Sequence, residues 1–534
     1  MDEKQRTMLA LGLTAVILIA WFALFDRMKV EDETPGPAPQ KTQSAQKPAP
    51  APAAPPLDAP STVAPHAPAG ESRDIVVETP LYTATFSTRG GRLTSFKLRN
   101  YMTTMGRDAK PVEILKTPMP TLVLSGGSDD AELTYESTRQ GTVTIDKTGE
   151  VIAFSATASP GVVLKKLYTI DPRSYVLGYQ TVIENRTTEP LPASGEILFN
   201  NLYPLDEKLK GYAFQGPVLL NGKHLEEFKI DKVKKVDSYR DFTGEIKWFG
   251  YEDKYFLHAV INTSAPESTL TIKRVDDRTV ELHYGLPPAT IQPGSSLTRE
   301  NLIFIGPKEI KTLKSVGHNL IKALDFGFFD IIAKPLLTSM NWIYRYTMSY
   351  GWAIIVLTII IKLLLYPLTL KSFTSMKELQ KIQPLMKEIQ QQYKDDKQKM
   401  NQELMRLYQE HKINPMGGCL PMLLQIPILF ALYKVFYQAI ELRHTPFHIV
   451  GTWLPDLSAA DPYYITPILM GASQFVMQKM TPTAGDPTQQ KIMLFMPVLF
   501  TFLFLNFPSG LVIYWLISNI LSIIQQAYIN RKHT

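Results

Sequence analysis

The sequence predicts an α-helical polytopic membrane protein with six spans and a large external all-β sandwich domain. Three observations carry that prediction. Apolar runs of about 20 residues, enough to cross a bilayer at ~1.5 Å per residue, crowd the chain beyond residue 320, and one more stands near the N-terminus. Between residues 74 and 310 the pattern is short and alternating, as in antiparallel sheet. Basic residues gather in a single long loop between spans, which sets an orientation. The averages conceal this segregation: the chain is 45% hydrophobic over 534 residues, with a net charge of +6. No long basic tract is present, so no direct nucleic-acid function is expected. The single cysteine, Cys419, excludes an internal disulfide framework and a cysteine-based zinc site, and reads as a small buried hydrophobe.

Residues 1–29 read as an N-terminal transmembrane anchor. TMLALGLTAVILIAWFALF (7–25) follows a nearly charge-balanced MDEKQR and precedes Asp26-Arg27-Met28-Lys29, with no A-x-A cleavage site. Residues 30–73 are a Pro/Ala-rich linker, a spacer whose extended reach is on the order of 100 Å. Residues 74–318 form the β-sandwich domain: segments such as DIVVETPLYTATFST and RTVELHYGL are punctuated by Arg-Gly-Gly and Gln-Pro-Gly-Ser turns. No metal-ligand cluster, nucleophile elbow or glycine-rich phosphate loop stands out in it, so no metal and no cofactor are expected. Residues 319–349 are apolar but broken by Lys322, Asp325, Asp330, Lys334 and Pro335, which suits an amphipathic interfacial helix.

Residues 350–534 hold five more spans, at about 351–370, 417–438, 463–480, 490–507 and 510–529, the last two joined by a tight FPSG turn. The segment 371–416 carries nine Lys/Arg, whereas the loop 439–462 has only Arg443. The positive-inside rule therefore places 371–416 and both termini in the cytoplasm, and the β domain in a periplasm. Within 371–416, Phe373, Met376, Leu379, Ile382, Met386, Ile389 and Tyr393, then Met400, Leu404, Leu407 and His411, recur at helical spacing around a KDDK break. This predicts a helical hairpin. Its stripe has two readings: the two helices pack on each other, or Met376, Met386, Met400 and Met405 offer a soft surface to passing apolar segments.

The stretch IIVLTIIIKLLLYPLT (354–369) sets a lysine, Lys362, inside a span, where insertion scales charge roughly 2.5–3.5 kcal/mol. The spans contain no Asp, Glu or His, so no intramembrane carboxylate can pair with it and no carboxylate proton relay can run. Other polar groups are present. Thr358 lies one turn before Lys362, Gln425 is in the third span, and Gln474 and Gln478 are an i,i+4 pair in the fourth. Trp515, Asn519, Ser522 and Gln526 form a single polar stripe on the last span. Polar faces on four helices predict convergence on a hydrated cavity, in which an unpaired cation attracts passing acidic segments. Snorkelling to an interface is the alternative for Lys362 and the expectation for Lys434.

NPMGGCLPMLLQIPILFALY (414–433), DLSAADPYYITPILMG (456–471), DPTQQKIMLFMPV (486–498) and FPSGLVIYW (507–515) resemble, in this order, the YidC membrane-protein insertases of Gram-negative bacteria. The anchor, external β domain and cytoplasmic hairpin extend the resemblance over nearly the whole chain. It implies a non-enzymatic insertase and chaperone for inner-membrane proteins, with a five-helix insertase core. Its implied partners are nascent membrane proteins, the Sec translocon, the lipid bilayer and, transiently, the ribosome. The family's second span carries a positive charge in a hydrophilic groove, usually an arginine before Tyr-Pro-Leu-Thr. Here Lys362 stands at that position, before LLLYPLT. Arginine holds its charge under nearly any burial, whereas lysine keeps it only in a wet site. The tail ends at NRKHT without the long basic extension of some relatives, so ribosome contact leans on the hairpin. Two rivals remain. A secondary transporter would show an internal repeat with correspondingly broken spans. An anchored glycan enzyme would carry its chemistry in 74–310 and lose all activity on deletion of that domain.

Overall fold

The computed structural model describes residues 72–115, 121–124, 130–202, 214–228, 239–263, 267–276, 279–394, 396–411, 420–447, 453–480 and 487–532. The expected anchor, almost all of the linker, Cys419 and Asn414-Pro415 lie outside them.

The alternating segments form strands because every second side chain is apolar and finds a facing sheet. Val176–Asn185 alternates half-buried and buried positions along its whole length. Among the described residues there are three sheets, one of nine strands and two of five. Pairing is antiparallel in register after register, except that Asp74–Glu78 runs parallel to Gly141–Thr144. The predicted turns are in place. Gly90 and Gly91 take φ of 75° and 52° between Tyr82–Ser87 and Arg92–Met102. At Gln-Pro-Gly-Ser, Gly294 has φ 76° while Ser295 N–H donates to Gln292 O, a conformation open to glycine at little cost. Trp248, Tyr82, Tyr168, Tyr251, Tyr284 and Phe199 fill the core. Inside it, Lys166 is buried against Asp130 and donates to Gly90 O at 2.7 Å, so its charge is paired as burial demands.

The last strand, Ser296–Pro307, runs directly into helix α1 (Ile310–Val316) and, through two 3-10 turns, into α2 (Asp330–Thr347). One face of α2 buries Ala333, Leu337, Met340 and Ile343, while Ile331, Trp342 and Tyr346 stay exposed. The helical part continues with α3 (Tyr350–Lys381), α4 (Gln383–Gln392), α5 (Lys397–Glu410), α6 (Leu420–Gln438), α7 (Ile465–Met480), α8 (Pro487–Phe504) and α9 (Ser509–Lys532).

Two described helices, Tyr350–Lys381 and Ser509–Ile529, are long and apolar enough to cross a membrane, and Leu494–Phe504 is a shorter apolar one. The helix at the expected 351–370 span does not stop at 370. It runs on for 32 residues, because charged side chains end an apolar run without ending a helix. It ends at Ile382, two residues before Pro384, whose ring cannot continue a helix. The hairpin closes on itself: Ile382, Met386 and Leu407 form a small buried core flanked by Leu379, Ile389, Leu404 and Tyr408. The described residues up to 480 and from 493 onward belong to one compact unit.

Candidate functional site: a polar seam along the last helix

Helix α9 packs against α3, α6 and α7, and its stripe bonds to all three. From α3, Lys362 Nζ donates to Ser522 Oγ at 2.8 Å. From α6, Gln425 Nε2 donates to Ser518 Oγ at 3.0 Å. Towards α7, Trp515 Nε1 donates to Gln474 Oε1 at 3.2 Å, Asn519 Nδ2 to Ser473 Oγ at 3.0 Å, and Gln526 Nε2 to Met480 O at 2.6 Å. A further rung, Gln525 Nε2 to Thr369 Oγ1 at 2.8 Å, ties α9 to α3 beyond Pro367. The helical period explains the gathering, since positions 515, 519, 522 and 526 recur at three or four residues and fall on one face.

Seven of the nine polar residues expected to converge thus join one seam. The polar side chains bond directly to one another across the helices, and Ser518, Asn519, Ser522 and Gln526 are all buried. Thr358 stands apart: it is buried and donates at 2.6 Å to Ile354 O in its own helix. Gln478 lies on α7, with its Nε2 buried and unpartnered among the described residues. Ser518, Ser473 and Thr369 were missed in the sequence. Nothing in the apolar text separates a serine that bonds its own helix from one that bonds across helices.

Lys362 is half-buried and has no carboxylate within ion-pair distance among the described residues. Ser522 Oγ both accepts from it and donates at 2.9 Å to Ser518 O. The next two side chains of α3, Leu363 and Leu364, are 66% and 73% exposed, so the seam meets the outer surface of the bundle at the lysine.

The hairpin methionines separate by location. Met386 sits inside the hairpin core, with Tyr408 OH 3.9 Å from its sulfur. Met400 is half-buried, and Met405 is exposed on the far face of α5. Met376 lies on α3, and its side chain is outside the described set. Met386 therefore cannot meet a partner while the hairpin is closed.

The chain matches the family described as 60Kd inner membrane protein over residues 342–534 and the YidC periplasmic domain over residues 74–339. The membrane protein insertase YidC of Syntrophus aciditrophicus is 40% identical over 556 residues, covering 100% of both chains. That of Geotalea daltonii is 43% identical over 469 residues, covering 86% of this chain and 87% of the relative. A solved structure, that of an active YidC insertase with its first transmembrane domain resolved, is 20% identical with a TM-score of 0.37, covering 85% of this chain and 92% of that one.

Proposed function

We propose a groove mechanism for this chain, which belongs to the YidC family of membrane protein insertases. It is an inner-membrane insertase and chaperone with a periplasmic β domain, and it works without catalysis. In our reading the chain crosses the membrane six times with both termini in the cytoplasm. The seam of α9 with α3, α6 and α7 is the wall of a client groove. A client's polar tail enters from the cytoplasm and its acidic groups exchange Ser522 for themselves at Lys362. Gln425, Gln474, Asn519 and Trp515 replace water contacts that the tail gives up.

The driving force is the client's own. Burying its apolar segment in lipid gains ~25 cal/mol per Å², and each acidic charge moved outward gains roughly 2.3 kcal/mol per 100 mV of membrane potential. Client segments, the Sec translocon and, transiently, the ribosome are the partners this reading requires, with Met405 and Met400 of the hairpin as first contacts. The observation that carries the reading is half-buried Lys362, whose ammonium donates to a neutral hydroxyl within spans whose sequence contains no acid.

The test is to deplete the native protein and follow insertion of a short client with an acidic exported tail, rescued by Lys362→Ala, Lys362→Arg or Lys362→Glu. Ala and Glu are expected to lower insertion at least several-fold while Arg supports it. Normal insertion by all three would remove the charge from the mechanism.

A further inference from the structure

Between the loop after strand Arg92–Met102 and the outer end of α6 lies a cavity of about 590 Å³, lined in part by Tyr101, Met105, Glu309, Tyr350, Glu441 and Arg443. Glu441 stands in the 3-10 turn Ile440–Leu442 that follows α6. Its Oε1 accepts from the Ile310 N–H at 3.4 Å and from Asn341 Nδ2 at 3.3 Å, and Tyr350 OH donates to Asn341 Oδ1 at 3.1 Å. Its Oε2 is buried and, among the described residues, accepts from nothing. Burial, with Glu309 adding to it, pushes the Glu441 carboxyl above the usual carboxylate range. A buried acceptor without a donor costs about 1–3 kcal/mol, more for a charged group, so one that persists calls for a donor from elsewhere.

The rest of the wall narrows the chemistry of that donor. Two carboxylates, Glu309 and Glu441, share the cavity with one guanidinium and with the His444 imidazole, whose charged form burial and Arg443 disfavour. Arg443 donates to Thr103 O at 3.3 Å and lies over the rings of Tyr255 and Phe256, which leaves part of its five-donor fork for an anion. A purely cationic guest such as a lysine side chain would meet repulsion at Arg443, whereas a zwitterion meets opposite charge at both ends. Volumes of about 300–1,000 Å³ are those of small-molecule sites. The cavity also lies beside α2, whose exposed Trp342 and Tyr346 suit the headgroup level of a bilayer.

We propose that this cavity holds the zwitterionic headgroup of an outer-leaflet aminophospholipid, its primary ammonium donating to Glu441 and Glu309 and its phosphodiester facing Arg443. The site takes no part in the groove mechanism, so the two stand or fall separately. A primary ammonium supplies three N–H donors and a quaternary trimethylammonium supplies none, which gives the site a chemical discriminator.

The experiment places the full chain in vesicles of phosphatidylethanolamine with phosphatidylglycerol, or of phosphatidylcholine with phosphatidylglycerol. A water-soluble carbodiimide then activates buried carboxyls; a neighbouring amine attacks the acyl carbon, an amide forms and the urea leaves. The expected result is an ethanolamine-lipid amide on the Glu441 or Glu309 peptide in the first vesicles only. It should fall several-fold in Met105→Trp, which narrows the mouth from an exposed position and leaves both carboxylates intact. Glu441→Gln keeps a carbonyl oxygen for Ile310 and Asn341, and on purification from phosphatidylethanolamine membranes it should retain several-fold less of that lipid than the native chain. Absence of the amide, an amide insensitive to Met105→Trp, unchanged lipid retention in Glu441→Gln, or an amide to a client lysine in place of lipid would each overturn the proposal.

Discussion

Single side chains here are read by what they do with charge in places that water does not reach. His258 is the simplest case. It is buried between Tyr251 and Phe199, its Nε2 has no partner among the described residues, and burial pushes its pKa down to about 3. The folded protein thus keeps it neutral while the unfolded chain protonates it near pH 6.5. Between those values the unfolded state binds more protons, so this group's contribution to stability is whole above pH 6.5 and shrinks as the pH falls, by up to about 1.4 kcal/mol per pH unit. His258→Phe is expected to flatten that acid-side loss, read as hydrogen exchange of the strand Phe256–Asn262 in the full chain at pH 5 against pH 7. Lys362 was legible from sequence for the same reason that His258 was not. A charge in an apolar run announces itself, whereas a histidine in a β domain is hidden until its neighbours are known. The seam's Gln425, Gln474, Trp515 and Asn519 were also legible, as polar letters in apolar text. Their serine partners were not, because serine is common in spans and can be satisfied by its own helix.

At the scale of elements, helix ends and close approaches decide the outcome. The hairpin rests on three buried side chains, so Leu407→Ala should destabilise it by about 2–5 kcal/mol, while Met405→Ala, on the exposed face of α5, should leave it closed. Hydrogen exchange across residues 383–410 of the full chain separates the two. Gly351 opens the second expected span, and a Cβ there would meet the Phe447 ring at 1.8 Å. Gly351→Ala should therefore cost about 1–3 kcal/mol through overpacking, seen as a lowered thermal midpoint. Strand alternation and the glycine turns were legible because both are local. The 32-residue length of α3 was not, because hydropathy marks where lipid ends and Pro384 marks where the helix ends.

At the scale of the whole molecule, the turn at 253–256 is one of the places where the β domain is seated on the helical part, beside the Arg443–Thr103 contact. Lys254 Nζ stands 3.9 Å from the ring centroid of Tyr437 on α6, and Tyr255 OH lies 3.5 Å from Ser458 Oγ. These partners lie far apart in sequence, and no periodicity connects them, so the docking was invisible before the fold was known. A cation over a ring contributes about 0.5–2 kcal/mol, more when desolvated. Lys254→Met and Tyr437→Leu should each loosen the seat, raising exchange of residues 253–256 several-fold while strands elsewhere in the domain keep their protection. The same loop system reaches the seam: Ser509, the first residue of α9, donates through its hydroxyl to Asp456 O at 3.0 Å, and Asp456 Oδ1 in turn accepts from Ser458.

In the proposed groove, the Lys362–Ser522 contact would set the rhythm of the cycle. Because Ser522 also donates to Ser518 O, it keeps a partner when the lysine turns away, and the lysine finds it waiting on return. On the proposed mechanism, displacement would break no ion pair and strand no hydroxyl, so the resting state would re-form once the guest had departed into lipid. In the proposed groove, resetting takes no fuel and no proton, and the pace of the cycle belongs to the departing chain.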